Sequence, residues 1–315
     1  MKTYFFINPA AGQGKGTEKL AEEIRKAVVD LQTECEIYFT EGIYDGQMRA
    51  KKIAEELNGE AARFYACGGD GTLNEIINGA YGFENIETGC IPIGTGNDTV
   101  RCFPEAGDFR SVRAQLSGKS VPVDLIRYTG MIEGRKQTRY CINMFNVGFD
   151  CNVVELAGRL KKKPLISGSF AYLLAILGIF VKKEGICLKI IENDEVIAEG
   201  EVLLCAIANG NYCGGGLRTS PQAELSDGFF DVNIIKNIRR CQFLRLLPAY
   251  ISGKHMNMTN IDHIITMKKC TRIKLIPEAD SFFLCADGEI RTAGEVEFEI
   301  VPSAVRFILP KRQQS

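Results

Sequence analysis

The sequence predicts two domains: an α/β domain built on a doubly wound parallel sheet, then an all-β, sandwich-like domain with a few helices. Three observations carry this. Strand-like and helix-like runs alternate through the first 120 residues, the pattern of a parallel sheet with helices on both faces. Glycine-rich loops follow three of those strands, where open α/β sheets bind ligands. From about Val121 the texture changes to short apolar runs separated by turn signals, as in a sandwich or barrel.

In the first domain, residues 3–8 read as a strand, 17–31 as an amphipathic helix, 35–40 as a strand and 47–57 as a helix. Residues 62–67 (ARFYAC) are a buried strand feeding Gly68, Gly69, Asp70, Gly71 and Thr72. Leu73, Asn74, Glu75 and the residues to Gly79 continue as a helix, and 88–93 form a further strand. A strand, a glycine turn and a helix N-terminus make an anion site, because backbone N–H groups and the helix dipole both favour negative charge there. The aspartate in that turn points to Mg²⁺, since a carboxylate beside phosphates repels them unless a cation intervenes or the carboxylate orients donors. The bland alternative is a tight strand–helix turn.

The loop after the first strand, Asn8-Pro9-Ala10-Ala11-Gly12-Gln13-Gly14-Lys15-Gly16, resembles a phosphate loop but lacks the Gly-Lys-Ser/Thr ending. Lys15 either meets a phosphate or is simply solvated. The third loop, Gly94-Thr95-Gly96-Asn97-Asp98, offers a hydroxyl, an amide and a second carboxylate. Asp98 either caps the following helix or shares a metal–phosphate role with Asp70.

In the second domain, strands are read at 121–128, 140–147, 186–191, 202–208, 229–235, 272–276, 282–286, 296–301 and 305–309. Helices are read near 151–160, 169–181 and 239–251. The boundaries expected are 1–120 and 121–302, with 303–315 returning to the first domain. Asp287-Gly288 is the strongest local hairpin signal, and it also leaves a carboxylate on a rigid turn.

Composition narrows the class. The chain has 315 residues, 45% apolar and 24% charged, with a net charge of −1. That is a globular composition, and it argues against a broad nucleic-acid-binding surface. Twelve cysteines occur without a Cys-x-x-Cys pair. Cys67, Cys90, Cys141, Cys187, Cys205 and Cys285 lie in apolar strand-like runs, so they read as small core hydrophobes in a reducing cytoplasm. With two histidines, a zinc site is not expected. The apolar segment 165–181, flanked by lysines, is shorter than a spanning helix needs. It reads as a buried core helix or as a helix facing a membrane, with lysines meeting anionic headgroups.

Taken in order, Asn-Pro-x-x-Gly, Gly-Gly-Asp-Gly-Thr-Leu-Asn-Glu and Pro-x-Gly-Thr-x-Asn-Asp resemble the diacylglycerol kinase catalytic-domain family, which includes bacterial soluble diacylglycerol kinases and sphingosine kinases. The stretches 209–216, Pro221-x-Ala223-x-Leu225-x-Asp227-Gly228 and Asp287-Gly288-Glu289 extend the resemblance over essentially the whole chain. It implies a nucleotide fold like that of phosphofructokinase and NAD kinase, a β-sandwich, and an active site in the cleft between them. It implies ATP and Mg²⁺ as cofactors and a lipid alcohol as acceptor, met at the inner membrane surface. Asn8, Thr40, Gly69, Asp70, Gly71, Thr72, Leu73, Asn74, Glu75 and Thr95 are the expected ATP contacts, with Pro9, Ala10, Gly68 and Asn97 beside them. Asp287 is the expected general base and Glu289 a nucleotide or metal contact. A structural Mg²⁺ is expected on the Asp227 carboxylate and the carbonyls of Glu224 and Phe229. Asp98 and Asp124 are weaker metal candidates. The family usually has serine where Ala11 stands, so one hydroxyl is missing from the first loop. Two other readings stay open: an NAD kinase-like enzyme for a soluble substrate, and a non-catalytic nucleotide- or lipid-binding regulator. Sandwich edge strands also allow a homodimer.

Overall fold

The computed structural model describes residues 1–14, 16–148 and 185–312. The helices expected near 151–160 and 169–181, the segment 165–181 and Lys15 lie outside the described residues. The chain divides into two compact units, one of Met1–Asp124 with Ser303–Ser315 and one of Leu125–Pro302.

The first unit is a parallel α/β sheet. Its strands are β1 (Lys2–Ile7), β2 (Cys35–Phe39), β3 (Ala62–Gly68) and β4 (Ile86–Pro92), with helices α1 (Thr17–Asp30), α2 (Asp45–Glu56) and α3 (Asp70–Ala80) between them. Two short helices follow, α4 (Asp98–Arg101) and α5 (Val112–Leu116). The order is β2-β1-β3-β4, and Arg306 and Phe307 add a parallel edge beside β4. Side chains alternate across each strand. Phe5, Ile7, Tyr65 and Cys67 therefore pack with Leu20, Ile24 and Val28 of α1. Tyr4, Phe6 and Phe64 form an aromatic cluster on the opposite face. There α2 and α3 pack so closely that a methyl at Gly79 would lie 2.5 Å from the Gln47 carbonyl oxygen.

The second unit is antiparallel. It contains most of β5 (Lys119–Ile132), then β6 (Arg135–Cys141), β7 (Met144–Gly148), β8 (Ile186–Glu192), β9 (Glu195–Ala208) and β10 (Phe230–Lys236). After α6 (Arg240–Ile251) come β11 (Ile265–Cys270), β12 (Arg272–Pro277), β13 (Phe282–Ala286) and β14 (Glu289–Leu309). Two strands are much longer than the sequence pattern suggests. β9 pairs β8 through its first half and β7 through its second. β14 pairs β13 and then β12, and it replaces the two strands expected at 296–301 and 305–309. With β12 on β8 and β13 on β7, the ladder closes into a circuit of six strands. Closure removes the unpaired edges that an open sheet would expose. Inside lie Tyr128, Phe145, Leu188, Cys205, Leu284 and Phe298. Burying each large apolar side chain contributes about 1.5–3 kcal/mol.

The run 140–147, read as one strand, is two. It breaks at Ile142 and Asn143, between β6 and β7, and that break shapes the site described below. No disulfide joins the cysteines among the described residues. Cys67, Cys90, Cys141, Cys205 and Cys285 are buried as expected, whereas Cys187 is exposed, because it falls on the outward face of β8.

Candidate active site

In the first unit, three loops leave the carboxyl ends of β1, β3 and β4 and hold one another directly. The Asn8 amide nitrogen donates to Thr72 Oγ1 at 3.1 Å, and its oxygen accepts the Ala10 N–H at 2.9 Å. The Ile93 and Gly94 N–H groups both donate to the Gly68 carbonyl. A methyl at Gly94 would sit 2.4 Å from Gly69 Cα, so only glycine permits this approach. Thr40, at the end of β2, donates its N–H to the Ile7 carbonyl.

Helix α3 begins at Asp70 with Gly69 as its N-cap residue and no side-chain cap. The first N–H groups of any α-helix lack intrahelical acceptors. Here they emerge at the meeting point of the loops, an arrangement that binds phosphate. Pro9, Ala10 and Thr95 are exposed at the rim, while Thr40, Thr72, Asn74 and Asn97 are buried. Leu73 is a core residue, 1% exposed, and its N–H is spent on the Gly69 carbonyl. Glu75 accepts the Tyr44 N–H at 2.9 Å, bracing the start of α2. Asn74 receives the Asn78 side chain within α3.

Asp70 orients donors, the alternative that its sequence context left open beside a metal role, though across a distance that context did not suggest. Its two oxygens accept the N–H groups of Asp98 and Thr99, each at 3.1 Å. It thereby caps α4 from 28 residues upstream. Asp98 is the first residue of α4 rather than its cap; the N-cap residue is Asn97, at φ 53°, whose side chain instead donates to the Gly94 carbonyl. The cap reading of Asp98 is thus corrected, because the tertiary fold delivers a better-placed carboxylate. A methyl at Gly96 would lie 3.1 Å from Asp70 Oδ2 and 3.4 Å from Asp98 Oδ2. Glycine therefore lets both carboxylates approach this point of the loop, and Asp98 Oδ1 also lies 3.9 Å from Arg101 Nε. That donor set suits a Mg²⁺ ion bound mainly through nucleotide phosphates, which needs one or two protein carboxylates. Among the described residues no group of three or more acidic, histidine or cysteine side chains is placed to hold a metal by itself.

In the second unit, Asp287 and Gly288 form the tight turn between β13 and β14, with φ 47° and 87°. Positive φ at both central residues is the hairpin geometry that Asp-Gly favours. The turn sets the Asp287 carboxylate, 5% exposed, against the break between β6 and β7. Oδ1 accepts the Asn143 N–H at 3.0 Å, the Met144 N–H at 3.2 Å and the Cys141 thiol at 3.0 Å. Oδ2 accepts the Ile142 N–H at 3.1 Å. The break frees these amides from the β ladder. Asn209 holds the far side of the break by donating to the Ile142 carbonyl at 2.7 Å, and Asn143 donates to the Tyr212 carbonyl. Burial pushes the Cys141 thiol well up, with the Asp287 charge adding to it, so it stays a donor. Oδ1 thus takes three of these donors and Oδ2 one, and together they hold the carboxylate in a fixed orientation. Glu289 pairs with Arg291; both follow the turn.

The remaining metal candidates are engaged elsewhere. Asp124, 2% exposed, accepts the Ser303 N–H at 2.7 Å. These are the last residue of the first unit before the chain leaves it and the first on its return. Asp227 Oδ1 accepts the Phe229 N–H at 3.0 Å, and Oδ2 lies 2.6 Å from Lys269 Nζ. Both oxygens of the expected structural Mg²⁺ ligand are occupied, one by a cation the protein itself carries. Glu224 and Phe229 are exposed beside it. This donor set does not fit the expected ion.

The description "Diacylglycerol kinase catalytic domain" matches residues 2–128, and "YegS C-terminal NAD kinase beta sandwich-like domain" matches residues 143–309. A diacylglycerol kinase of Staphylococcus aureus is 30% identical over 254 residues, covering 79% of this chain and 75% of its own length. The chain belongs to the diacylglycerol kinase family. A diacylglycerol kinase of Bacillus subtilis is 27% identical over 310 residues, covering 97% of this chain and 95% of that protein. Among solved structures, a diacylglycerol kinase from Bacillus anthracis superposes with a TM-score of 0.69 at 19% identity, covering 98% of this chain and 96% of that one. A yeast NADH kinase shares the fold at a TM-score of 0.50 and 10% identity, covering 99% and 84%. The α/β first domain with NAD kinase-like relatives and the β-rich second domain are thus the architecture expected from the sequence. Among the described residues no helix is long and apolar enough to cross a membrane.

Proposed function

We propose that this chain is an ATP-dependent lipid kinase that transfers the γ-phosphoryl group to the hydroxyl of diacylglycerol or a related lipid alcohol. The observation that carries this reading is the uncapped N-terminus of α3, ringed by the loops of Asn8, Gly68–Gly69 and Gly94, in a chain of this family. Phosphoryl transfer needs positioning and charge neutralisation more than covalent chemistry, and this ring supplies backbone donors for polyphosphate. Mg²⁺ carried by the nucleotide would be held at Asp70 and Asp98 and would neutralise phosphate charge. Asp287 is the general base of this reading. Its carboxylate takes the proton of the lipid hydroxyl, and the donors of Cys141, Ile142, Asn143 and Met144 fix it in one orientation. A lipid acceptor places the enzyme at a membrane surface, on the cytoplasmic side where ATP is found.

The test is transfer of radiolabelled phosphate from ATP to a panel of lipid alcohols, with mass spectrometry of the product. A phosphorylated lipid that requires ATP is the expected result. Labelling of NAD and of no lipid would move the reading to an NAD kinase-like enzyme. ATP binding without transfer to any acceptor would make the chain a regulator.

A further inference from the structure

The resemblance assigns the Asp227 turn a structural Mg²⁺, and this chain carries Lys269 at that turn. Strand register fixes its position: Asp231 on β10 lies directly opposite Lys269 on β11. Neighbouring residues on a strand face opposite sides, and Lys268 accordingly pairs with Glu192 instead. An ammonium group has three donors and no acceptor. Lys269 Nζ meets three oxygens: Asp227 Oδ2 at 2.6 Å, Asp231 Oδ2 at 3.2 Å and the Gln222 carbonyl at 3.4 Å. Asp227 Oδ1 is meanwhile tied to the Phe229 N–H, which closes the turn. The side chains of Asp227 and Asp231 are 22% and 12% exposed, that of Lys269 40%. The positive charge therefore stands at the edge of a partly buried acidic pair.

We propose that Lys269 is a built-in cation that replaces the divalent ion at the Asp227 turn, so that the second unit is stable there without metal. A divalent ion on Asp227 Oδ2 would share that one oxygen with an ammonium group, and like charges that close repel. The lysine occupies the position covalently, at no cost in free metal concentration.

The experiment is thermal unfolding of the nucleotide-free full chain in EDTA and in millimolar Mg²⁺, for wild type, Lys269→Met, Lys269→Arg and Asp227→Asn. Wild type and Lys269→Arg should unfold at the same temperature in both buffers. Lys269→Met should lose roughly 2–4 °C in EDTA and recover most of it in Mg²⁺, because its bare acidic pair can now bind the ion. Should Lys269→Met fold only in Mg²⁺, that result supports the proposal equally. Three results would overturn it: a Mg²⁺-dependent gain in wild type that Asp227→Asn abolishes, a Lys269→Met protein as stable as wild type in EDTA, or one that Mg²⁺ leaves unchanged or unfolded. None of these readouts depends on catalysis.

Discussion

Asp70 in the first unit and Asp287 in the second both sit beside glycine just past a buried strand, the first opening a helix and the second in a hairpin turn, and both accept backbone N–H groups. Their partners differ. Asp70 gives one oxygen each to Asp98 and Thr99, a symmetrical clamp that holds the third glycine loop against the second. Asp287 accepts the Cys141 thiol and the Asn143 and Met144 N–H groups on Oδ1 and the Ile142 N–H on Oδ2, an asymmetrical clamp that orients the carboxylate against the break between β6 and β7. The same residue type thus braces a glycine loop from the first turn of a helix in one unit and presents an oriented carboxylate from a hairpin turn in the other. What separates them is the distribution of donors, and neither distribution is local in sequence.

The sharpest way to break this contrast is Asp287→Asn. It replaces the carboxylate proposed to take the proton and should lower lipid phosphorylation by about 10²–10⁴-fold, the usual contribution of a general base, while ATP binding to the first unit persists. Turnover near the wild-type rate would end the base assignment. Next comes Gly94→Ala, whose methyl would be driven against Gly69 Cα. The loops must part at a cost of about 1–3 kcal/mol, and calorimetry with a non-hydrolysable ATP analogue should show affinity down about tenfold or more.

Asp70→Ala leaves two helix N–H groups uncapped and should cost about 0.5–2 kcal/mol, measured by denaturant unfolding. Asp70→Asn keeps one acceptor and should recover part of this. If Asn also restores nucleotide affinity, Asp70 acts as a brace; if affinity stays as low as in the alanine variant, its charge serves the phosphates as well. The smallest effect is expected from Cys141→Ala. It removes the weakest of the three donors on Asp287 Oδ1 and should change kcat by no more than about threefold, since the two amide donors on that oxygen remain, each worth about 1 kcal/mol. A loss as large as that of Asp287→Asn would show that the thiol is essential to the orientation.

Much of the first unit was legible in the sequence because its information is local. Apolar runs at strand spacing, helical periodicity and glycine loops at strand ends each lie within a short window, and the parallel order follows from the alternation. The hairpin at Asp287-Gly288 was legible for the same reason. The second unit was less so. The long strands β9 and β14 each serve two ladders, and no short window shows that a strand changes partners partway along. Residues 140–147 looked continuous because Ile142 and Asn143 do not break an apolar run, and only the arrival of Asp287, 144 residues beyond Asn143, gives their amides another acceptor.

By itself, then, the sequence determined the two-domain class, the three glycine loops, the family and the residues around which a phosphate site could form. It could do so because backbone conformation and side-chain period act over a few neighbours. Tertiary structure alone decided that Asp70 caps α4, that Asp124 ties Ser303, that Lys269 stands against Asp227 and Asp231, and that Asp287 gathers the amides at the break between β6 and β7. Each of these is a contact between residues 28 or more positions apart. Such contacts exist only once hydrophobic burial has closed the loops between them, because the entropy of closing those loops must be met before the contact forms.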